Sequence, residues 1–218
     1  MNISYILFDC DNTLYKSTNG LFEEISRRMT LFVSDFLGID EQAAEFLRKD
    51  YTAKYGTTLG GLMRVGGLKN PEQFLKDVHP ENIDDYVAKN PALKPMLKAI
   101  PYPKSIFTNS PKEHAERVLD RLGVRSCFEN IFDIRFSQFL GKPVPSSFDR
   151  VLDEIGKQSE EVLLIDDMAS YLAAFKEMGG EVLLVSTNGT AKKYHLPCIP
   201  TIMELPEYFK DAAGKPKK

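Results

Sequence analysis

Two aspartates, Asp9 and Asp11, stand one residue apart in the stretch FDCDNTLY (Phe8 to Tyr15), directly after the apolar Tyr5, Ile6 and Leu7. Carboxylates held this close repel one another unless a positive charge lies between them. A second acidic pair, Asp166-Asp167, ends the apolar run VLLI (Val162 to Ile165), and Thr108-Asn109 follows the run KSIF that begins at Lys104. Between these two comes GKPVP, which carries Lys142. Acids, a hydroxyl and a lysine at the ends of apolar runs suit a bound divalent cation. Mg²⁺ takes oxygen ligands in octahedral geometry and keeps waters that a phosphate can replace.

These groups must be brought together by the elements that carry them. Ser4 to Asp9 is too short for a helix and reads as a buried strand ending in Asp–Asn turn chemistry. From Leu21 to Leu37 the apolar residues fall at 21, 22, 25, 29, 32, 33, 36 and 37, a helical stripe closed by Gly38. Asp40 caps a second helix running to about Tyr55. Gly56 to Leu68 is glycine-rich and less regular, and short helical pieces follow at Pro71–Val78 and Pro80–Val87. After about Pro91 strands and helices alternate. The expected strands are Lys104–Thr108, Ile131–Phe136, Val162–Ile165 and Glu181–Val185. The expected helices run from Ser110 to Leu122, from Ser147 to Ile155, and from after Asp167 to Met178. The first of them opens with a capping box, Ser110-Pro111-Lys112-Glu113. This alternation predicts an α/β fold, a Rossmann-like and mostly parallel sheet. Residues 1–15 and 89–218 form the predicted core, with 16–88 inserted as an all-helical cap. In such sheets ligands bind at the carboxyl ends of the strands, where the acids, Thr108 and Asn109 all fall.

The order Asp9-Cys10-Asp11-Asn12-Thr13, then Ser105-Ile106-Phe107-Thr108-Asn109, then Lys142-Pro143, then Ile165-Asp166-Asp167 resembles the haloacid dehalogenase superfamily of phosphohydrolases. The resemblance covers nearly the whole chain, helical insert included. It implies Asp9 as nucleophile, forming an aspartyl-phosphate, and Asp11 as the acid and base that serves the leaving alkoxide and then water. It implies Mg²⁺ held by the Asp9 carboxylate, the Asp11 backbone carbonyl and Asp166, with Asp167 in support. Thr108 and the backbone around Asn109 bind phosphate, and Lys142 offsets the charge of Asp9 and the phosphate. Asp11 also favours phosphoryl chemistry over carbon–halogen cleavage, because a halide leaves without a proton. FDCDNTLY, KYGTTLGGLM (Lys54 to Met63) and IFTNS are further similar to the pyrimidine 5′-nucleotidase-like branch, which implies a nucleoside monophosphate such as UMP or CMP. One departure stands out: Tyr171 occupies a place where many relatives carry Asn.

Composition bounds the alternatives. With 28 Lys and Arg against 31 Asp and Glu, net charge −3, the chain lacks the basic face of a nucleic-acid binder. The basic end, Gly214 to Lys218, reads as a solvated tail. Three cysteines without a CxxC fit a reduced, cytoplasmic protein. No run of about 18 apolar residues marks a membrane span, and because the start lacks a basic segment followed by a long apolar run, no signal peptide is expected. The expected partner is a small phosphorylated metabolite, and the expected state a monomer or homodimer. Cys10, by strand alternation, faces the core. Tyr15, Tyr51, Tyr55 and Arg64 read as packing or surface before substrate contacts, and His114 as a surface histidine. A receiver domain would place its acid pair first, whereas here it comes last. A phosphatase or phosphomutase for a sugar phosphate or phosphoglycolate, and a phosphate-binding protein without turnover, remain as alternatives.

Overall fold

The computed structural model describes residues 2–16, 20–187 and 190–213, so the basic tail lies outside the described residues. Six strands form one sheet: β1 (Tyr5–Phe8), β2 (Lys104–Phe107), β3 (Ile131–Phe132), β4 (Val162–Asp166), β5 (Glu181–Val185) and β6 (Cys198–Ile199). Their order is β3-β2-β1-β4-β5-β6, and every pairing is parallel. The chain is therefore an α/β protein with a Rossmann-like sheet. Among the described residues no helix is long and apolar enough to cross a membrane.

β1 lies inside the sheet between β2 and β4, which is why all four of its residues are buried. Strand alternation sends its side chains to opposite faces. Ile6 and Phe8 join a cluster with helices α5 (Leu93–Ala99), α6 (Lys112–Leu122) and α10 (Leu205–Ala213). Tyr5 and Leu7 join a second cluster with α7 (Pro145–Ile155) and α8 (Ala169–Glu177). A short α9 (Thr190–Tyr194) links β5 to β6.

Between β1 and α5 lie α1 (Leu21–Leu37), α2 (Glu41–Tyr55), α3 (Thr58–Arg64) and α4 (Pro71–Val78). Asp40 caps α2 by accepting from the Ala43 N–H at 2.8 Å. The four helices pack around their own apolar cluster, which includes Val33, Ala44, Tyr51, Leu62, Phe74 and Val78. Ile134, from the loop after β3, enters that cluster, and Arg135 beside it pairs with Glu72 of α4 at 2.6 Å. The helical block is thus tied to the sheet at the edge where the strands end.

Several elements differ from the sequence reading. The glycine-rich stretch contains α3, which starts where the Thr57 hydroxyl accepts from the Gly60 N–H and which buries Leu59 and Leu62. Burial here overrides the poor helix propensity of glycine. Pro80–Val87 is not helical; turns suffice to bury Ile83 and Val87. β3 stops at Phe132 because the Asp133 carboxylate accepts from the Phe136 and Lys112 N–H groups, which bends the chain off the sheet. The capping box of α6 does not form. Pro111 is its N-cap without a side-chain bond, and the Ser110 hydroxyl turns elsewhere. The short α5 and β6 lie where no element was predicted.

Candidate active site

At the carboxyl edge of the sheet the Asp9 N–H donates to the Ile165 carbonyl at 2.8 Å, which joins the end of β1 to the end of β4. Asp9, Asp166 and Asp167 converge there, each offering one carboxylate oxygen that lies within 4.8 Å of those of the other two. Lys142 reaches into this cluster. Its Nζ lies 2.9 Å from Asp9 Oδ1 and 2.5 Å from Asp166 Oδ2, and the side chain is wholly buried. The ammonium also sits over the rings of Phe107 (5.2 Å) and Tyr171 (5.5 Å). Tyr171 therefore packs against the lysine at the place where an Asn was the expected residue.

Asn109 fixes the lysine from behind. Its side-chain amide donates to the Lys142 carbonyl at 2.9 Å, and its Oδ1 accepts from the Lys142 N–H at 2.8 Å. With that side chain committed, the expectation that Asn109 contacts phosphate rests on its backbone. Gly141 makes the clamp possible. Its φ is +67°, and a Cβ there would stand 2.6 Å from Asn109 Oδ1. The Lys142–Pro143 peptide is cis. From the helical block, Gly56 at the end of α2 comes so close that a Cβ would meet Pro143 Cδ at 3.1 Å.

The electrostatics of the cluster are unbalanced. Burial pushes the Asp9 carboxyl well up; Lys142 opposes this, while Asp166, Asp167 and Asp11 add to it. Burial and then Asp166 raise Asp167 to about 7. Burial would lower the Lys142 ammonium, but Asp166 and Asp9 outweigh it, so it stays charged. One buried cation facing three carboxylates leaves negative charge in excess. An all-oxygen set short of positive charge fits a hard divalent cation.

Asp11 lies in different surroundings. Tyr15 donates to its Oδ1 at 2.6 Å, Ser110 to its Oδ2 at 2.8 Å, and His114 Nε2 stands 2.9 Å from Oδ1. Burial pushes the Asp11 carboxyl up, but His114, Tyr15 and Ser110 pull it well below the usual carboxylate range. His114 is fully buried, so its reading as a surface histidine is corrected. Tyr15 likewise bonds an acid of the site and is more than packing. Thr108 is buried, and its hydroxyl accepts from the Ser110 N–H at 3.0 Å, which turns Ser110 toward Asp11. Sequence reasoning missed this trio, although one signal was there. Ser110 and His114 both lie close to the start of α6, beside the strand end that carries Thr108. Cys10 is buried in the core cluster, with its thiol pushed up by burial. Tyr51 packs within the helical block, while the Arg64 guanidinium lies 5.9 Å from the Tyr55 ring centre.

The profile of the haloacid dehalogenase-like hydrolases matches residues 3–179. Phosphate metabolism protein 8 of Saccharomyces cerevisiae is 28% identical over 188 residues, which cover 79% of this chain and 58% of the yeast protein. The chain thus spans a little over half the length of that relative. Among solved structures, a HAD phosphatase from Thermococcus onnurineus superposes with a TM-score of 0.63 at 19% identity, over 95% of this chain and 98% of its own. L-2-haloacid dehalogenase from Xanthobacter autotrophicus does so with a TM-score of 0.60 at 18% identity, over 95% and 98%. At such identities the two structures speak to fold alone. With the profile running across most of its length, the chain belongs to the haloacid dehalogenase-like hydrolases.

Proposed function

We propose that the protein is a Mg²⁺-dependent phosphomonoester hydrolase working through an aspartyl-phosphate on Asp9, with residues 1–15 and 89–218 as the catalytic core and 16–88 as a cap. The observation that carries this reading is Asp11, a carboxylate beside the nucleophile with its own set of donors. Carbon–halogen cleavage has no use for such a group, whereas an alkoxide leaving group needs a proton.

In the first half-reaction an Asp9 oxygen attacks phosphorus, the bond to the leaving oxygen breaks, and Asp11 hands that oxygen a proton taken up from the bound phosphate monoanion, since its own donors favour its ionised form. In the second, water attacks the same phosphorus, yields a proton to Asp11, and frees Asp9 and inorganic phosphate. Lys142 favours the ionised form of Asp9 against the burial that opposes it, and offsets charge on the phosphoryl group. Asp166 anchors Lys142 from the other side. Thr108 and the Asn109 backbone receive phosphate oxygens next to the start of α6. Asp9, Asp166, Asp167 and the Asp11 carbonyl would hold Mg²⁺, which when bound supplies positive charge that the cluster lacks.

The proposed substrate is a nucleoside monophosphate of the pyrimidine kind, supported by the sequence likeness of FDCDNTLY, IFTNS and the Tyr55-Gly56 to Gly61-Leu62 stretch. Gly56 supports a cap role for the block, because it rests on the loop that carries Lys142. The test is phosphate release from UMP, CMP, AMP, GMP, sugar phosphates, phosphoglycolate and 4-nitrophenyl phosphate, with Mg²⁺ and with chelator. Mg²⁺-dependent release led by UMP and CMP, and lost in Asp9→Asn, is the expected result. Release led by a sugar phosphate would sink the nucleotide assignment. Full turnover in a folded Asp9→Asn protein would sink the mechanism.

A further inference from the structure

We propose that His114 is a positioning residue of this hydrolase, holding the Asp11 carboxylate in place for proton transfer by donating from Nε2–H. The proposal rests on the phosphatase reading above and extends it to a residue outside the four motifs.

Three observations carry it. His114 is wholly buried, and its Nε2 lies 2.9 Å from Asp11 Oδ1, an acceptor-only atom in a carboxylate. Its Nδ1 is buried with no hydrogen-bond partner among the described residues. A proton on Nδ1 would be an orphaned donor, whereas a bare Nδ1 leaves only a lone pair unmet. Both nitrogens therefore select the Nε2–H tautomer. The third observation is His79, at the end of α4, whose ring centre is 4.9 Å from that of His114. His79 Nδ1 bonds the Leu75 carbonyl at 2.8 Å and so carries its own proton there. Burial pushes His79 down to about 3, so it packs as a neutral ring tilted against that of His114. The helical block thereby backs the imidazole, and the imidazole in turn backs the acid.

Tyr15 and Ser110 complete the hold. A carboxylate has about four lone-pair sites, and three donors fix its plane while one site stays open for the travelling proton. Loosening that plane costs most where a proton must be delivered or removed.

Side-chain geometry supplies the test. Gln carries its amide nitrogen as many bonds from the backbone as His Nε2, and Asn carries its own where Nδ1 lies. His114→Gln can keep the donor to Asp11, while His114→Asn and His114→Leu cannot. The readouts are kcat and kcat/KM on 4-nitrophenyl phosphate, whose phenolate leaves without help, and on an alkyl phosphomonoester. In the Asn and Leu variants kcat/KM on the alkyl ester should fall by roughly 10- to 100-fold, part of the range typical of acid–base catalysis. On the aryl ester kcat/KM should stay within about threefold while kcat falls and a burst of nitrophenol appears, because water attack still needs Asp11. The Gln variant should recover most of the loss. Equal losses on both esters, or no difference between Asn and Gln, would overturn the proposal.

A measurement independent of turnover is the tautomer of His114, read from ¹⁵N–¹H correlations. Nε2–H is expected, and Nδ1–H would overturn the assignment. Absence of turnover in the wild-type protein, or its survival in Asp9→Asn, would overturn the phosphatase reading and the catalytic role with it. The tautomer would still decide the hydrogen bond.

Discussion

Lys142→Met removes the ammonium that Asp9 and Asp166 share and leaves a side chain of similar length and volume. The charge lost is fully buried and bonded on two sides, to Asp9 and Asp166. Removing one partner of a buried ion pair costs about 3–5 kcal/mol, because the other is left uncompensated. Here two carboxylates are left facing each other, with Asp167 beside them. The attraction of the ammonium to the rings of Phe107 and Tyr171 is lost as well and belongs within that range. For a chain of this size each kcal/mol moves Tm by about 2–4 °C, so a fall of roughly 6–20 °C is expected at pH 8 in chelator. The cost should shrink at pH 5, where a carboxyl that has lost its cation can take a proton. It should also shrink with millimolar Mg²⁺, which supplies charge to the same oxygens. Thermal or urea unfolding of wild type, Lys142→Met and Lys142→Gln under these three conditions measures it. Should the Met variant be unfolded in chelator, its refolding on addition of Mg²⁺ reports the same deficit. A fall below about 1 kcal/mol at pH 8, or an equal fall at pH 5 and pH 8, refutes the reasoning.

The metal-free wild type should itself lose stability as pH rises. Asp167 is raised to about 7 in the fold, above the roughly 3.9 of a free carboxyl, so the native state binds its proton more tightly than the unfolded chain does. That contribution is full below about pH 4 and gone above about pH 7; urea titrations in chelator at pH 5 and pH 8 should show the decline, and Mg²⁺ should flatten it. Tyr15→Phe deletes a 2.6 Å bond to the Asp11 carboxylate and should cost about 1.5–3 kcal/mol in unfolding experiments, with a several-fold loss of kcat. Unchanged stability and kcat would mean that the hydroxyl does not hold Asp11. Gly141→Ala forces a residue to φ +67° and pushes on Asn109, so a loss of about 1–2 kcal/mol from the backbone alone is expected, plus lower activity through Lys142. A crystal structure of that variant with Asn109 and Lys142 unmoved would contradict the account of the clamp.

Asp9, Thr108, Asp166 and Asp167 could be found in the sequence because each follows an apolar run that has only one sensible fate, a buried parallel strand. A change from apolar to acidic at the end of such a run marks the sheet edge. The partners of Asp11 were harder to see, since nothing in the string says where a side chain points. Ser110 was assigned to a helix cap by its neighbours, yet Asp11, a residue far away in sequence, competes for its hydroxyl and wins. His114 has the composition of a surface position, but α6 turns it inward onto His79 and Asp11. The bend after Phe132 escaped notice because Asp133 acts through its carboxylate on two N–H groups, one of them in α6. The helix in the glycine-rich stretch escaped because local propensity was weighed without the packing that outvotes it.

β1 has a consequence for the order in which the molecule can assemble. It occurs early in the chain but sits inside the sheet, where Ile6 pairs with Lys104 on one side and Leu163 on the other. Its partners follow roughly a hundred and roughly a hundred and sixty residues later, so its contacts close very long loops. Until both arrive, the most apolar early segment of the chain has an unpaired edge on each side, and strands in that condition invite wrong pairing. The helical block between β1 and β2 has an apolar cluster drawn largely from its own residues and can gather before the sheet does. Folding of this protein should therefore be paced by capture of β1, and the acids that follow it should reach their final surroundings among the last groups to do so.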